Sequence, residues 1–432
     1  MQRSKDRAPK IFLGPLEISG YYANLERGFA AGSVSARLVT LHPHPLNFEQ
    51  PQPNPWPARL SCAVVLIHRR VPAPIRILTG AVYLFACLAT LLWSIPRFNT
   101  YIFSWGVSLL PGNLDISLLR LLRKRVVVVV GHGSEARPPY MSTPEGWTGT
   151  PDELAIRTLR NRTVRLARSI ARIERWASDV IGLATTGQFL RREFVDFYAL
   201  GIPTPLPASA PATPPGDPLA RSKFVVLHVP SKPEVKGTAE IRRCMTSIVA
   251  AHPHVRYVEL SGRPHAEILD ALANCDLVVD QLWSDIPMAV VGAEAAALSK
   301  PTVIAGYAWK FYSDMLHHAA WPPTVMCAPD QLEATIAACV QDPQAMVALG
   351  QRSRDFLANN WNPASVAERY LRVLSKTVPA EWIIDPGQIT YGLGCGVSEE
   401  NVRLMTNGLI SSYGIASLRW PAAARVYEPE SH

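Results

Sequence analysis

Phe224-Val-Val-Leu-His-Val229, Val255-Arg-Tyr-Val-Glu-Leu260, Asp276-Leu-Val-Val-Asp280 and Pro301-Thr-Val-Ile304 decide how this chain is read. Each is a short apolar run of strand length, rich in β-branched residues. Stretches with helical spacing lie between them: Ala239 to Ala250, a segment opening near His265, and Ala289 to Leu298. Strands alternating with helices at this interval predict a parallel sheet covered on both faces. Ligands of such sheets sit beyond the carboxyl ends of the strands. The loop after the first strand places Lys232, Lys236, Gly237 and Thr238 there.

The first half of the chain repeats the pattern. Lys10 to Gly14 reads as a strand, followed by a loop to Gly20 and a helix from Tyr21 to Ala31 with Leu25 and Phe29 on one face. Glycines at a strand end let a ligand approach the backbone, and the helix that follows offers free N–H groups to anions; on sequence alone an ordinary βα turn is the favoured reading of Gly14 and Gly20. Further strands are expected at Val34–Leu41, Asn99–Trp105, Val126–Val130 and Asp179–Ala184, with helices at Leu114–Leu122, Leu154–Trp176 and Phe189–Tyr198. The Val126–Val130 strand runs into Gly131-His132-Gly133-Ser134-Glu135-Ala136-Arg137. That turn supplies an imidazole and a hydroxyl at a strand's carboxyl end.

Pro203 to Pro218 (PTPLPASAPATPPGDP) is too proline-dense to pack and reads as a semi-rigid connector. It gives an N-terminal domain over 1–205, a linker over 206–222 and a second domain over 223–376. Helices are expected there at Trp309–His318, Pro329–Val340, Pro343–Asn360 and Pro363–Lys376, and a glycine-containing tail follows over 377–432. The tail is expected to pack back on the N-terminal domain.

With 48% hydrophobic residues the 432-residue chain can bury large cores, which argues against disorder. A net charge of +8 suits an anionic partner without choosing a nucleotide, a phospholipid surface or a nucleic acid. No nucleic-acid-binding motif accompanies the charge, so nucleic acid is not expected. The seven cysteines form no C-x-x-C pair and read as reduced core thiols of a cytosolic protein. The N-terminus shows no apolar signal region. His42 and His44 lie in a Pro- and Asn-rich loop without acidic or Cys partners, and no metal site is expected.

Ile77 to Pro96 carries no charge and is long enough for a span of roughly 20 residues. A spanning helix, a helix lying on a membrane face and a buried helix all fit its composition. Strands on both sides of it, together with Arg69, Arg70, Arg76 and Arg97 and the aromatic Tyr83 and Trp93, favour the interfacial seat. Arg157, Arg165, Arg168, Arg172 and Arg175 make a basic stripe on the Leu154–Trp176 helix, which is either a solvated face or a site for anionic lipid.

Lys232…Lys236-Gly237-Thr238, Asp276-Leu-Val-Val-Asp280 and Glu294-Ala-Ala-Ala-Leu-Ser-Lys-Pro301 resemble the donor half of family 4-type glycosyltransferases of the GT-B fold. The resemblance implies an α/β architecture of two Rossmann-like doubly wound domains facing a cleft. It implies that Lys236, Gly237 and Lys232 face the diphosphate of a nucleotide sugar and that Glu294 binds the ribose. The His132–Arg137 segment is similar to the family's HGsD-R segment, with Glu135 where Asp is common, and His132 would then contact the transferred sugar or acceptor. Gly14, Gly20, Gly133, Ser134, Glu135 and Arg137 would line the acceptor side. The family pairs two acidic residues eight positions apart, but Ile286 stands eight before Glu294, leaving the neighbouring Asp285 to replace the missing acid. Ser231 stands where the family has Arg, and Lys232 is the expected stand-in.

The expected function is therefore transfer of a hexose from a nucleotide-sugar donor to a glycan, lipid-linked or small-molecule acceptor. By resemblance it is retaining and independent of metal or other cofactor, and serves polysaccharide or glycolipid synthesis. The expected place is the cytoplasm, with peripheral contact to an anionic membrane. A non-catalytic nucleotide- or membrane-binding assembly protein, or an epimerase, would share the same features.

Overall fold

The computed structural model describes residues 8–43, 50–68, 70–142, 151–207, 223–315 and 321–427. The chain divides into two compact units, each built on its own mainly or wholly parallel sheet. Unit 1 comprises 1–136, 166–203 and 363–386, and unit 2 comprises 137–165, 204–362 and 387–432.

The unit 1 sheet contains β1 (Lys10–Gly14), β2 (Ser35–Leu38), β3 (Thr100–Phe103), β4 (Arg125–Val130), β5 (Asp179–Gly182), β6 (Phe194–Asp196) and the late strand β12 (Ile383–Ile384). Their order is β12-β6-β5-β4-β3-β1-β2, parallel except where Ile384 of β12 meets Phe194 of β6 antiparallel. The run Val126–Val130 lies at the centre and is buried on both faces, as a strand covered by helices on each side must be. Phe12 stacks on Tyr101 at 5.4 Å between ring centroids and meets Phe103 edge-on at 6.2 Å, binding β1 to β3. The helix Pro363–Ser375 closes this unit. Gly28 lets it approach the helix Tyr21–Ala31, because a Cβ there would lie 1.9 Å from the Pro363 carbonyl oxygen. The Tyr21 and Tyr370 hydroxyls, 3.0 Å apart, complete that contact.

The unit 2 sheet contains β7 (Phe224–His228), β8 (Val255–Glu259), β9 (Leu277–Val279), β10 (Thr302–Ala305) and β11 (Val325–Cys327), in the order β11-β10-β9-β7-β8 and all parallel. Alternation along β7 and β9 sorts the side chains into two cores. Phe224, Val226, Leu277 and Val279 join one with Ile241, Met245 and Ile336, whereas Leu227 and Val278 join the other with Ile268 and Leu272. Both faces are therefore covered, and each unit is a doubly wound α/β fold as its apolar runs require.

Several elements differ from expectation. Phe189–Tyr198 was expected as a helix, but its centre forms strand β6 and only Phe197–Leu200 is helical. Ladder bonds from Ile181 and Gly182 of β5 outweigh the weak local propensity. The helix expected at Ile77–Pro96 runs Ala73–Ser94 and is preceded by the helix Trp56–His68, which loop-like composition up to Pro57 obscured. The tail from Gly387 clusters with unit 2 and contains the helix Glu399–Tyr413, whose Ser398 cap accepts from the Asn401 N–H. Most of the expected 206–222 linker lies outside the described residues, as does His44.

Ile102, fully buried in β3, is expected to cost about 2–5 kcal/mol on truncation to Ala. Ser134→Ala, at an exposed position, should stay within about 0.5 kcal/mol. Equilibrium urea unfolding of the two variants checks both values.

Candidate functional site

In a doubly wound sheet the crossovers leave in opposite directions at one point, and a crevice opens there beyond the strand ends. Unit 1 has this point between β1 and β3, and unit 2 has it between β7 and β9. The two points are built differently.

At the unit 1 point, β1 ends in Gly14 with φ 141°, where a Cβ would stand 2.2 Å from the Val39 carbonyl oxygen. No side chain fits, so glycine is required by space as well as by backbone angle. Gly20, at φ 82°, precedes the helix Tyr21–Ala31. The free N–H groups expected at that helix start are taken. The Glu17 carboxylate accepts from Ile18 N–H at 2.6 Å, Tyr22 N–H at 3.1 Å and Ala23 N–H at 2.8 Å. Burial raises the Glu17 pKa while those backbone donors pull it down. The chain's own carboxylate thus occupies the anion seat that Gly14 and Gly20 were expected to leave open.

His132 follows β4 in an aromatic box. Its ring stacks on Trp105 at 6.1 Å and meets Tyr21 and Phe197 edge-on at 5.1 and 5.0 Å. The Tyr22 hydroxyl lies 2.8 Å from His132 Nε2, and the His132 backbone N–H donates to Glu135 Oε1 at 2.6 Å. Burial pushes the imidazole pKa down to about 3, although its edge remains partly accessible. His132 is therefore a neutral ring, suited to hydrogen bonding. Gly133 (φ 143°) and exposed Ser134 continue the turn.

Arg137 belongs to unit 2 rather than to the strand it follows. Its guanidinium donates from Nε at 2.9 Å and Nη2 at 2.5 Å to Asp285 Oδ2. Both side chains are buried, so each charge is compensated by the other. Asp285, expected to replace the missing acid of the donor site, is instead engaged with Arg137.

At the unit 2 point, β7 ends in fully buried His228. Its Nδ1 lies 2.8 Å from the Val279 carbonyl oxygen, which only accepts, so Nδ1 carries the proton. Nε2 then accepts from the Thr238 hydroxyl at 2.9 Å, and burial keeps the ring neutral by lowering its pKa. This ties β7, β9 and the start of the helix Thr238–Ala251 together. Gly237 makes the turn into that helix at φ 69°, and a Cβ there would meet the Leu282 Cβ at 2.6 Å. Among the described residues no side chain caps the helix start. Its free N–H groups and positive dipole end face the strand ends, unlike the plugged helix of unit 1.

Lys236 lies just before this helix start, but its ammonium is not free. Nζ donates to Asp280 Oδ1 at 2.6 Å, and Asp280 is almost fully buried with Oδ2 lacking a hydrogen bond among the described residues. Lys232 is exposed. Glu294, in the helix Val290–Ala297, is paired as well: His265 Nε2 lies 2.7 Å from its Oε1. The hydrogen bond to Glu294 raises the His265 pKa. Thus the structure gathers Lys236 and Gly237 at the switch point, with Asp285 on Arg137 and Glu294 on His265. His228, Asp280 and His265 escaped the sequence reading of the site. The first two each end a buried strand, and that position was the available signal.

These features define a class: a two-unit, doubly wound α/β protein with an uncapped, lysine-flanked helix start in its second unit. No family model matches the chain, and no curated protein matches it. Among solved structures it is similar to Anabaena Alr3699/HepE in complex with UDP, at 12% identity over 85% of this chain and 99% of that chain, TM-score 0.47. The same Anabaena protein in complex with UDP-glucose gives 13% identity, the same coverage and TM-score 0.46. Spinosyn rhamnosyltransferase SpnG complexed with thymidine diphosphate gives 14% identity over 85% of this chain and 100% of that chain, TM-score 0.38. With TM-scores below 0.5, these likenesses leave the chemistry to be argued from the residues.

Two outcomes follow from the local chemistry. Glu17→Gln should destabilise the protein by about 1.5–3 kcal/mol, the range for bonds to a charged acceptor, measured by chemical denaturation. Folding raises the His265 pKa above its ordinary 6.5, so the stabilisation is complete below that value. It fades as pH rises through the raised midpoint. Histidine NMR titration should show this midpoint falling in Glu294→Gln, and the stability gap between wild type and variant closing at higher pH.

Proposed function

We propose that this chain is a GT-B glycosyltransferase that moves a hexose from a nucleotide-sugar donor to a glycan, lipid-linked or small-molecule acceptor. The observation that carries the reading is the unit 2 switch point, where an uncapped helix start, Gly237 and Lys236 converge. A nucleoside diphosphate fits these groups, since ammonium and helix dipole favour the same oxygens. As the bond from the anomeric carbon to the diphosphate breaks, charge grows on the leaving oxygens. Lys236, Lys232 and the helix N–H groups oppose that charge, and the acceptor hydroxyl closes the new bond as its proton passes to the departing diphosphate oxygen. The fixed cations carry this load in the proposed scheme without a bound metal, and configuration is retained. Glu294 reaches the ribose by exchanging His265 for the sugar hydroxyls, and neutral His132 serves the transferred sugar or acceptor.

Asp280 sets the terms of binding. It already neutralises Lys236, so a diphosphate must share or take over that ammonium. This favours a second reading, a nucleotide-binding protein without turnover, in which the Lys236–Asp280 pair is structural. Asp280→Asn tests whether Lys236 meets the phosphate. Relieved of its buried competitor, Lys236 should bind UDP or a related nucleoside diphosphate about tenfold more tightly, about 1.4 kcal/mol.

Thermal shift with UDP, TDP and their sugars measures binding, because a ligand held only by the native state raises its melting temperature. Lys236→Ala should remove the shift. Because it also strands a buried carboxylate, at about 3–5 kcal/mol, the double change Lys236→Ala/Asp280→Ala serves as the folded control. Release of UDP from the sugar donor distinguishes a transferase from a silent binder. Unchanged nucleotide binding in the double variant removes the site assignment.

A further inference from the structure

Unit 1 carries an apolar surface that the fold does not use. The connection from β2 to β3 is a pair of packed helices, Trp56–His68 and Ala73–Ser94. Along the second, Ala86, Cys87, Thr90, Leu91 and Ser94 are buried. The Ser94 hydroxyl contacts the Tyr101 hydroxyl of β3 at 3.1 Å, which seats this stripe on the sheet. The opposite stripe is equally apolar but faces out: Ile77 is 79% exposed, Leu78 65%, Phe85 57% and Leu92 60%. Leu66 and Ile67 of the first helix are half exposed beside it. A soluble crossover helix needs one apolar stripe, and this one has two.

The charge around this surface has one sign. From Gln50 to Leu114 there is no Asp or Glu, while Arg59, Arg69, Arg70, Arg76 and Arg97 fall in that interval. Arg37 and Arg97 both lie over the Trp93 ring, at 5.2 and 4.8 Å from its centroid. Lys124 donates to the Ile95 and Phe98 carbonyl oxygens at 2.5 and 2.7 Å, bringing the end of the next helix, Leu114–Leu121, beside Ser94. That helix exposes Leu114, Leu118 and Leu121. Arg172, from the basic stripe, donates to the Gly112 carbonyl oxygen at 2.7 Å and so stands at its other end. Leucines and a rim of arginines thus extend the same surface.

We infer that this surface seats unit 1 on an anionic lipid bilayer, with both helices lying in the plane of the membrane. Apolar side chains enter the acyl boundary, and the arginine rim meets anionic head groups. A second copy of the chain is a poor occupant, because a two-fold contact would oppose two arginine rims with no carboxylate between Gln50 and Leu114 to offset them. A span is excluded by how the helix pair is held, although the 22 residues of Ala73–Ser94 would by themselves reach about 33 Å. The 13 residues of Trp56–His68 reach about 20 Å, short of a hydrocarbon core of about 30 Å. The C-terminal half of Ala73–Ser94 is held on the sheet, and both helices return to strands of that one sheet.

The test is flotation of the full chain with phosphatidylcholine vesicles, with and without phosphatidylglycerol. Binding to the anionic vesicles is expected, weakening with salt, with about fivefold lost for each of Arg70→Gln and Arg76→Gln. Leu78→Gln/Phe85→Gln should lose about tenfold or more. These side chains are exposed, so an unchanged melting temperature should show that the variants fold. Absence of flotation overturns the proposal. So does a stable dimer that Leu78→Gln/Phe85→Gln dissolves, since a second copy would then cover the face. Resistance of the bound chain to alkaline carbonate overturns the in-plane seat.

Discussion

A carboxylate buried at the end of β9 must be neutralised, and the second unit is arranged around how that is done. Asp280 is almost fully covered and takes its cation from Lys236, which stands just before the helix Thr238–Ala251. Such a pair adds little net stability, because desolvation offsets most of the attraction, but losing one partner strands the other. The pair therefore fixes where the ammonium sits. It holds a positive group beside free backbone donors before any ligand arrives, which is the preorganisation that charge stabilisation requires. The same pairing moderates that charge, so under the proposed function a phosphate would compete with Asp280 for the ammonium.

The contrast between the two switch points gives this arrangement its meaning. Both units end a central strand near a glycine and then start a helix, and topology alone makes the two points equivalent. In unit 1 the Glu17 carboxylate fills the helix start with two of its three backbone bonds, and the neutral His132 ring sits nearby among aromatic side chains. In unit 2 no side chain among the described residues fills the corresponding place. One point is closed to anions by a residue of its own loop, and the other has no such residue among the described ones. His228 contributes by holding β7, β9 and the helix start in one hydrogen-bonded chain, so the open donors stand on a rigid frame.

The β2-to-β3 crossover departs from economy in a different way. One buried stripe suffices to cover the sheet, so the outward stripe of Ala73–Ser94 has no role inside unit 1. Register is set by the β1–β2 and β1–β3 backbone ladders, so the outward stripe takes no part in it.

The alternating apolar runs determined by themselves that the chain forms two α/β units. A strand buried on both faces, such as Val126–Val130, has few other fates. They also placed Lys236, Gly237 and His132 at strand ends, since position along a strand is a local property. The proline-dense stretch at 203–218 lies where the chain changes units near residue 203, whereas the return of 363–386 to unit 1 has no local mark. Partnership was decided only in three dimensions. Nothing near Asp285 announces Arg137, 148 positions away, and nothing near Glu294 announces His265. Lys236 and Asp280 meet because β7 and β9 are neighbours, although β8 intervenes in the chain. Local patterns report which residues are apolar or extended, while ion pairs depend on strand order, and strand order is a property of the folded sheet.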